Sequence, residues 1–396
     1  MLFPHAASAE HVQDAAIPAA GRVVTIGDAY EAWIAKASPS QPDARGREWD
    51  VFTIPYTSGT TGKPKGVLVP HRSRVLTLFA MAQEYGCFAP EDRFLAMAPM
   101  CHGAGMVYAL APIFFGGFAE ILDRFDPEDF LALLKDQGIT GYFAVPTHFH
   151  GIFGLPQKVL DARRPDDTLH TVISNAAPLA QSAKEQITDY FGPGKLHETY
   201  GSTEAGIVAN LRPQDQLRKQ KCVGQPFPMT LVKLTDDDGN DCAADEVGEL
   251  FSKSPFLFNG YWKRPDETAN AFRDGWVTVE DLARRDDEGY LYIVDRKKDM
   301  VISGGINIYP REIEEILHAH PDIADVAVTG VPDEKWGERL KAFVVKTHGA
   351  DLDKDEVIAF CKGKLADYKT PKDVAFIDTL PRNIGGKVFR TELRKL

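Results

Sequence analysis

Helical patterns alternate with short apolar runs between residues 70 and 230, and this alternation limits the fold more than any other feature. The helical segment PEDFLALLKDQG precedes the strand-like ITGYFAVP, and SAKEQITDYFG precedes KLHETYG. A helix between successive strands is typical of parallel strands, which need a long crossover connection. We therefore predict an α/β fold with a helix-covered, mostly parallel sheet.

The pattern changes near residue 229. LVKLTDDDGNDCAADEVGELFSKSP predicts a hairpin around Asp238 and Gly239, and RRDDEGYLYIVDRKKD predicts a second one. A helix beginning near Pro310 and a strand then follow. We predict a first domain over residues 1–297, with a β-rich subdomain from about 229, and a small α+β domain over residues 298–396.

Composition limits the classes of partner. Among 396 residues, 45 are basic and 57 are acidic, which gives a formal charge of -12. This balance argues against general binding of nucleic acid or membrane surfaces. The five cysteines form no CxxC pair, the first residues do not resemble a secretory signal, and no run of 18 apolar residues occurs. We expect a cytoplasmic protein.

The segment YTSGTTGKPKG, residues 56–66, is rich in hydroxyl groups and glycine. Such a loop offers hydroxyls and unhindered backbone N–H groups, which are the donors that wrap a polyphosphate. It is not a Walker loop, because the spacing from Gly59 to Gly62 is two residues too short and Pro64 follows Lys63. A flexible surface loop is the alternative.

Five further motifs follow this loop in order: NAAPL (175–179), YGSTE (200–204), GWVTVEDLA (275–283), DRKKDMVISGGINIYPREIE (295–314) and LPRNIGGKVFRTELRKL (380–396). With them the chain resembles the acyl-adenylate-forming superfamily of AMP-dependent synthetases and ligases, which includes the acyl-CoA synthetases. The resemblance runs from about residue 50 to the last residue. Much of the usual N-terminal segment is missing, since only 55 residues precede the loop.

Three explanations of the short N-terminal segment are open: a misassigned start, a truncated fragment, or a short natural variant that dimerises. Each predicts an exposed apolar patch, and a homodimer is one way to cover it.

The resemblance implies an ATP-dependent carboxylic acid–CoA ligase that needs ATP, Mg²⁺ and CoA. A carboxylate attacks ATP to form an acyl-adenylate and pyrophosphate, and a thiol then displaces AMP. The segments expected to line the acyl pocket are mostly small or apolar, which favours a fatty or aryl acid. Two alternatives stay open: a truncated, weakly active or inactive homologue that binds nucleotide or acyl groups, and an acyl-AMP ligase that loads a carrier protein.

The resemblance also implies a role for individual residues. The catalytic residues are Lys387, Thr203, Glu204 and His102, and Glu204 also binds the metal. The ATP- and AMP-binding residues are Thr57, Ser58, Gly59, Thr60, Thr61, Gly62, Lys63, Asn175, Ala176, Ala177, Tyr200, Gly201, Asp281 and Arg296. Taken singly, the lysines and Glu204 are typical of solvated surface groups. Only the ordered set of motifs favours a functional role for them.

Further roles concern the second half-reaction and the acid. Lys298 stands at the position of the superfamily's hinge, and Ser303, Gly304 and Gly305 would contact CoA. The acyl pocket would be lined by Met100, His102, Gly103, Val145, His148, Ser174 and Ile207. For His148 and His150, a buried histidine with satisfied hydrogen bonds is the alternative. Glu280 and Asp295 replace two glycines of the superfamily pattern, which puts extra negative charge beside the nucleotide.

Overall fold

The computed structural model describes residues 23–40, 45–57, 64–382 and 388–396. Within these ranges no helix is long and apolar enough to cross a lipid bilayer. The chain separates into two compact units, Met1–Arg47 and Glu48–Leu396. In the first unit, helix α1 covers Asp28–Ile34 and buries none of its side chains. All elements described below belong to the second unit.

Short strands and two long helices form the first part of the second unit. They are β1 (Val51–Thr53), β2 (Tyr56–Thr57), β3 (Lys65–Pro70), α2 (His71–Tyr85), β4 (Arg93–Ala96), α3 (Gly103–Phe114) and β5 (Phe118–Ile121). The segment VFTIPYT, residues 51–57, forms two short strands with a break between β1 and β2. Pro55 lies in the break, and it has no backbone N–H to donate to a neighbouring strand.

Helices and strands then alternate as predicted. They are α4 (Pro127–Asp136), β6 (Gly141–Ala144), α5 (Pro146–Phe153), α6 (Gln157–Arg163), β7 (Thr171–Ser174), α7 (Gln181–Phe191), β8 (Leu196–Ser202), β9 (Gly206–Leu211), a 3₁₀ turn (Pro213–Asp215) and β10 (Gln225–Pro226). Helix α4 begins at Pro127 because the Asp126 side chain accepts hydrogen bonds of 3.0 Å from the N–H groups of Glu128 and Asp129.

The main sheet has seven strands in the order β10-β9-β8-β7-β6-β4-β5. Strands β5, β4, β6, β7 and β8 run parallel, whereas β9 is antiparallel to both of its neighbours, β8 and β10. Every residue of β6 and β7 is buried, as expected for central strands covered by helices on both faces. The prediction of a mostly parallel, helix-covered sheet is therefore confirmed. The segments that follow β4, β6, β7 and β8 meet along one edge of this sheet.

Antiparallel strands follow the main sheet. They are β11 (Leu231–Thr235), β12 (Gly248–Lys253), β13 (Gly260–Tyr261), β14 (Phe272–Arg273), β15 (Trp276–Arg285) and β16 (Leu291–Arg296), with helix α8 (Pro265–Ala271) before β14. Both predicted hairpins are present, since β11 pairs with β12 and β15 pairs with β16. Strand β13 instead pairs with β3, next to the hairpin that carries the glycine-rich loop.

The last part of the chain has its own sheet and core. It contains β17 (Val301–Ser303), β18 (Ile306–Ile308), α9 (Pro310–Leu317), β19 (Ile323–Asp333), β20 (Gly337–Lys346), α10 (Lys354–Cys361), a 3₁₀ turn (Asp367–Lys369), β21 (Asp373–Phe376) and α11 (Arg390–Leu393). Helix α9 begins at the predicted residue. Side chains of α9, β19 and β20 pack together without exposure, including Ile313, Val328 and Val344. The domain boundary at residue 298 stays a prediction.

Candidate functional site

The ends of the glycine-rich loop are held by the β2–β3 hairpin. Half-buried Thr57 is the last residue of β2 and pairs with Lys65 on β3. The ammonium group of Lys65 lies 4.9 Å from the centre of the Tyr261 ring, a cation–π contact that joins this hairpin to β13. The loop residues themselves lie outside the described residues, so their phosphate-binding roles stay predictions: Ser58, Gly59, Thr60, Thr61, Gly62 and Lys63. The same holds for Lys387.

Three predicted nucleotide-binding residues lie in contact where β8 meets the β15–β16 hairpin. The Tyr200 hydroxyl donates a hydrogen bond to the Asp281 carboxylate. Arg296 Nε lies 3.2 Å from Asp281 Oδ1, because Asp281 and Arg296 are opposite each other on β15 and β16. The fold therefore joins three motifs of the sequence through one carboxylate.

The environment of this contact fixes which group donates. Burial, reinforced by the Asp281 carboxylate, raises the pKa of the Tyr200 phenol well above its usual value. The phenol therefore remains protonated at neutral pH and donates. Asp281 is 5% exposed, and its Oδ1 accepts no hydrogen bond from the part of the chain that the structure describes. This buried oxygen faces Arg296 Nε without a well-aligned hydrogen bond, so it keeps acceptor capacity for the hydroxyl groups of a ribose.

Glu204 contacts Tyr261 on β13, the strand that pairs with β3 of the β2–β3 hairpin, which is called the phosphate-loop hairpin below. Glu204 is 8% exposed, and its Oε1 accepts a 2.9 Å hydrogen bond from the Tyr261 hydroxyl. No described group donates a hydrogen bond to Oε2, and the described residues contain no cluster of three or more carboxylate, histidine or cysteine ligands. A single carboxylate with an open oxygen fits Mg²⁺ that is also held by phosphate oxygens. Sequence reasoning missed Tyr261, which is 57 residues away from Glu204.

The segment after β7 presents backbone and small side chains. Asn175 donates a 2.8 Å hydrogen bond to Thr199 Oγ1 on the neighbouring strand β8, and its own Oδ1 accepts from the Ala176 N–H. Ala176 has a φ of +77°, which is unusual for a residue with a side chain. Ala176 and Ala177 are both exposed. The segment can therefore lie flat against a planar ligand such as adenine.

A buried ion pair supports this segment from behind. Lys184 on α7 contacts Glu198 on β8, and their side chains are only 1% and 7% exposed. Glu198 Oε1 also accepts a 3.0 Å hydrogen bond from the Leu179 N–H, at the end of the NAAPL motif. Sequence reasoning missed this pair, because no motif assigns a role to either residue.

The last residues of β8 include a position that requires glycine. A Cβ atom on Gly201 would lie 2.1 Å from the Gly206 carbonyl oxygen, so no larger residue fits without moving the backbone. Thr203 is half-buried in the turn between β8 and β9. Its proposed contact with the α-phosphate stays a prediction.

The residues predicted to line an acyl pocket come from segments at the same sheet edge. Ser174 and Ile207 are buried, whereas Met100 is 43% exposed. His102 precedes the first residue of α3, Gly103, and His102 Nε2 is buried without a hydrogen-bond partner among the described residues. Half-buried Val145 directly follows β6. The topology thus brings these segments together, and their role as a pocket stays a prediction.

His148 has a local structural role. Its Nδ1 accepts a 3.2 Å hydrogen bond from the Val145 N–H at the start of α5, and its ring packs 4.5 Å from Phe125. Burial lowers the pKa of His148 to about 4, so the ring is neutral at pH 7. His148 is half-buried with one ring nitrogen hydrogen-bonded, and its role in the acyl pocket stays a prediction. His150 is exposed.

Glu280 and Asp295, which replace glycines of the superfamily pattern, occupy different environments. Glu280 has a φ of +63°, a left-handed conformation that favours glycine. Asp295 is 6% exposed and accepts hydrogen bonds from the N–H groups of Arg296, at 2.7 Å, and Arg311, at 3.2 Å. Burial raises the pKa of Asp295 to about 6. The Asp295 carboxylate therefore joins the β15–β16 hairpin to helix α9.

The predicted hinge residue precedes β17, and the predicted CoA-binding residues lie at the end of that strand and in the turn after it. Lys298 is exposed between β16 and β17, and half-buried Ser303 ends β17. Gly304 and Gly305 form the exposed turn of the β17–β18 hairpin, with φ angles of +59° and +80°. Both roles stay predictions.

Comparison with known proteins gives matches over nearly the whole chain. The family model of AMP-binding enzymes matches residues 2–262, and that of the AMP-binding enzyme C-terminal domain matches residues 312–387. The first match begins well before residue 50, where the sequence motifs suggested that the resemblance starts.

Two curated relatives and one solved structure illustrate the similarity. The chain is 36% identical to a 2-succinylbenzoate–CoA ligase of Geobacillus kaustophilus over 95% of this chain and 75% of the relative. It is 36% identical to a long-chain-fatty-acid–CoA ligase of Bacillus subtilis over 87% of this chain and 62% of the relative. The ATP-bound crystal structure of MatB from Rhodopseudomonas palustris superposes with a TM-score of 0.88 at 31% identity, over 99% of this chain and 78% of that one. The predicted superfamily and fold are confirmed.

Proposed function

This chain belongs to the AMP-binding enzyme family, and we propose that it is an ATP-dependent carboxylic acid–CoA ligase that acts through an acyl-adenylate. The observation that carries this proposal is the contact of Tyr200, Asp281 and Arg296. It brings together an aromatic ring, a buried carboxylate with further acceptor capacity and a cation, which are groups that can bind an adenosine phosphate.

In the first half-reaction, a carboxylate oxygen of the acid attacks the α-phosphorus of ATP. The bond from that phosphorus to the bridging oxygen breaks, and pyrophosphate leaves with the electron pair. Asp281 would accept the ribose hydroxyls, and Arg296 would donate to the ribose or phosphates. Thr203 would donate to the α-phosphate. Catalysis then depends mostly on position and on neutralising phosphoryl charge.

Cationic groups and a metal supply that neutralisation. Glu204 would hold Mg²⁺, which when bound shields the phosphate oxygens. Lys63 and the hydroxyl groups of its loop would hold the β- and γ-phosphates, and Lys387 would contact the carboxylate and the bridging oxygen. His102 would lie between the acyl and ATP sides of the cleft.

In the second half-reaction, the CoA sulfur attacks the acyl carbon, the bond from that carbon to the AMP oxygen breaks, and the thiol proton passes to solvent. We propose that residues 298–396 rotate about Lys298 between the two steps, which removes Lys387 and brings Ser303, Gly304 and Gly305 to the pantetheine. Such a rotation must break the bond from Arg311 N–H to Asp295 and the 2.5 Å ion pair of Lys221 with Glu315.

The acid is proposed to be a fatty or aryl acid. The small or apolar character of the segments after β4, β6 and β7 supports this class, and the two curated relatives are named for one acid of each kind. Association into a homodimer is also proposed. It is supported by an exposed aromatic cluster in which Phe79, 53% exposed, packs edge-on against Phe114, 46% exposed.

The proposed function is tested by following all products. The protein is incubated with Mg-ATP, CoA and single acids from a panel of C2 to C18 fatty acids and aryl acids, and AMP, pyrophosphate and acyl-CoA are quantified. We expect equal amounts of the three products with a preferred acid. ATP consumption that yields no acyl-CoA would contradict the ligase assignment and favour a carrier-protein acceptor.

Two variants separate the half-reactions. Lys387→Ala should abolish pyrophosphate release but still convert a supplied acyl-adenylate to acyl-CoA, and Lys298→Pro should do the reverse. Equal loss of both steps in either variant would refute the role assigned to that lysine.

A further inference from the structure

Arg74, in the first turn of α2, has an unusual environment. Its Nε and Nη2 atoms are buried, and neither has a hydrogen-bond partner among residues 23–40, 45–57, 64–382 and 388–396. Within the part of the chain that the structure describes, its guanidinium forms no ion pair. Two residues earlier on the same helix, Arg72 contacts Glu48 at 2.6 Å, and Arg390 contacts Glu314 at 2.6 Å elsewhere in the chain. Arg74 therefore differs from these two arginines, because no described carboxylate balances its charge.

An unpaired buried guanidinium is energetically costly, because it loses water without gaining an acceptor. Burial lowers the pKa of Arg74 to about 10. The group thus stays charged at neutral pH, and its donors remain available to a ligand. An anion with two oxygens in a plane is the partner that best matches the guanidinium fork.

The position of Arg74 indicates what this anion belongs to. Arg74 Nη2 lies 3.7 Å from the point where a Cβ atom of Gly103 would stand. Gly103 follows His102, whose buried Nε2 also lacks a partner among the described residues. Both belong to the segment after β4, which is proposed above to line the acyl pocket.

The strand order of the main sheet separates Arg74 and Gly103 from the residues that are proposed to bind the nucleotide. Tyr200 lies on β8 and Glu204 follows β8, whereas His102 and Gly103 follow β4, and the order is β8-β7-β6-β4. Three strand spacings of about 4.8 Å place β4 roughly 14 Å from β8. The acyl end of the cleft is therefore a better location for the missing anion than the phosphate end.

We propose that Arg74 binds a second carboxylate of the acyl substrate, so that the preferred acid is a dicarboxylic acid. One carboxylate is activated by ATP, and the other pairs with the Arg74 guanidinium beside His102. This inference rests on the proposed function and narrows its substrate class. The role of Arg74 is not visible in the sequence, because this residue lies outside the pocket-lining segments and those segments are largely apolar.

Equilibrium binding tests the inference without turnover. Isothermal titration calorimetry would compare dicarboxylates (succinate, adipate, sebacate and phthalate) with the matched monocarboxylates (butyrate, hexanoate, decanoate and benzoate). We expect at least one dicarboxylate to bind wild type at least about 10-fold more tightly than its match. Arg74→Gln should weaken that dicarboxylate about 10- to 100-fold, the usual effect of losing a charge-assisted hydrogen bond, and should leave the monocarboxylate within about twofold.

Two variants control the experiment. Arg72→Gln removes an arginine of the same helix turn whose charge is already paired at the surface, and it should leave every binding constant unchanged. Arg74→Lys keeps the charge but lacks the planar fork, so it should recover part of the dicarboxylate affinity. This recovery would distinguish anion binding from damage to α2.

The outcomes separate this inference from the proposed function. If every dicarboxylate binds no better than its match, or if Arg74→Gln instead raises the KM of ATP equally with all acids, the inference is overturned, while acid-dependent pyrophosphate release would still support the ligase. If Arg74→Gln selectively loses dicarboxylate binding but no acid releases pyrophosphate, Arg74 binds a carboxylate as inferred, but the ligase assignment fails and with it the role of that acid as the acyl substrate.

Discussion

Tyr261 donates a 2.9 Å hydrogen bond to Glu204, and this contact joins the strand beside the phosphate-loop hairpin to the turn after β8. Burial and the adjacent Glu204 carboxylate raise the pKa of Tyr261, so the phenol remains a donor at neutral pH. The bond fixes one oxygen of Glu204, and no described group donates a hydrogen bond to the other. Tyr261 is thus a positioning residue for the proposed metal-binding carboxylate.

Tyr261→Phe should therefore change the Mg²⁺ dependence of activity more than it changes the stability of the fold. We expect the Mg²⁺ concentration for half-maximal pyrophosphate release to rise about 10-fold or more, because a hydrogen bond to a charged group contributes about 1.5–3 kcal/mol. The measurement is a Mg²⁺ titration at saturating ATP. Tyr292→Phe is the matched control, since Tyr292 donates a 2.9 Å bond to Asp286 away from the proposed site. Equal effects of the two variants would contradict the positioning role.

The buried pair of Lys184 and Glu198 should be sensitive to removal of one charge. Lys184→Met leaves an unpaired buried carboxylate, so we expect the free energy of unfolding to fall by about 3–5 kcal/mol. The double variant Lys184→Met/Glu198→Gln should regain at least half of that loss, because no buried charge remains. Urea unfolding measures both. A double variant that is no more stable than Lys184→Met would show that the ion pair is not what stabilises this region.

Glu280 has a positive φ and lies next to Asp281, so Glu280→Gly should increase stability and also strengthen the binding of ATP. Relief of left-handed strain offers about 1–2 kcal/mol, from which the flexibility of glycine removes about 0.5–1 kcal/mol. We expect a small gain in the free energy of unfolding and a two- to threefold lower KM for ATP. Glu280→Gln separates the two effects, because it removes the charge but keeps the strain. It should lower KM alone, and a KM unchanged in both variants would refute the electrostatic argument.

Asp295 should make stability depend on pH. Its pKa is about 6 in the folded protein and 3.8 without the fold, so the folded protein binds the proton more tightly between these values. The resulting stabilisation is complete below pH 3.8 and is lost as pH rises through 6, by about 3 kcal/mol at 1.36 kcal/mol per pKa unit. Unfolding of wild type and Asp295→Asn between pH 4 and 7 should reveal this difference in slope. Identical slopes would contradict it.

The sequence predicted the parts of this account that depend on local patterns. The alternation of helices and strands placed the segments after β6, β7 and β8 along one sheet edge, since carboxyl ends of parallel strands meet there. Asp281 and Arg296 were also predictable neighbours, because they flank a recognisable hairpin turn. Asp126 and Pro127 marked the start of α4 in the same local way.

The contacts that sequence reasoning missed join residues far apart in the chain. Tyr261 and Glu204, like Arg74 and Gly103, meet only because separate strands and helices pack together, and no spacing rule encodes such a meeting. The strained backbone of Glu280 could not be predicted from the sequence for another reason. Its charge was visible in the sequence, but its φ depends on how β15 pairs with β16.

The most direct test of adenylate formation is ATP–pyrophosphate exchange, which needs no CoA. Labelled pyrophosphate is added to the protein with Mg-ATP and one acid at a time, and its incorporation into ATP is followed for wild type and Asp281→Ala. We predict exchange that depends on the acid and falls at least about 100-fold in Asp281→Ala, where the ribose acceptor is lost. Exchange that is absent with every acid, or unaffected by Asp281→Ala, would contradict the proposed adenylation site.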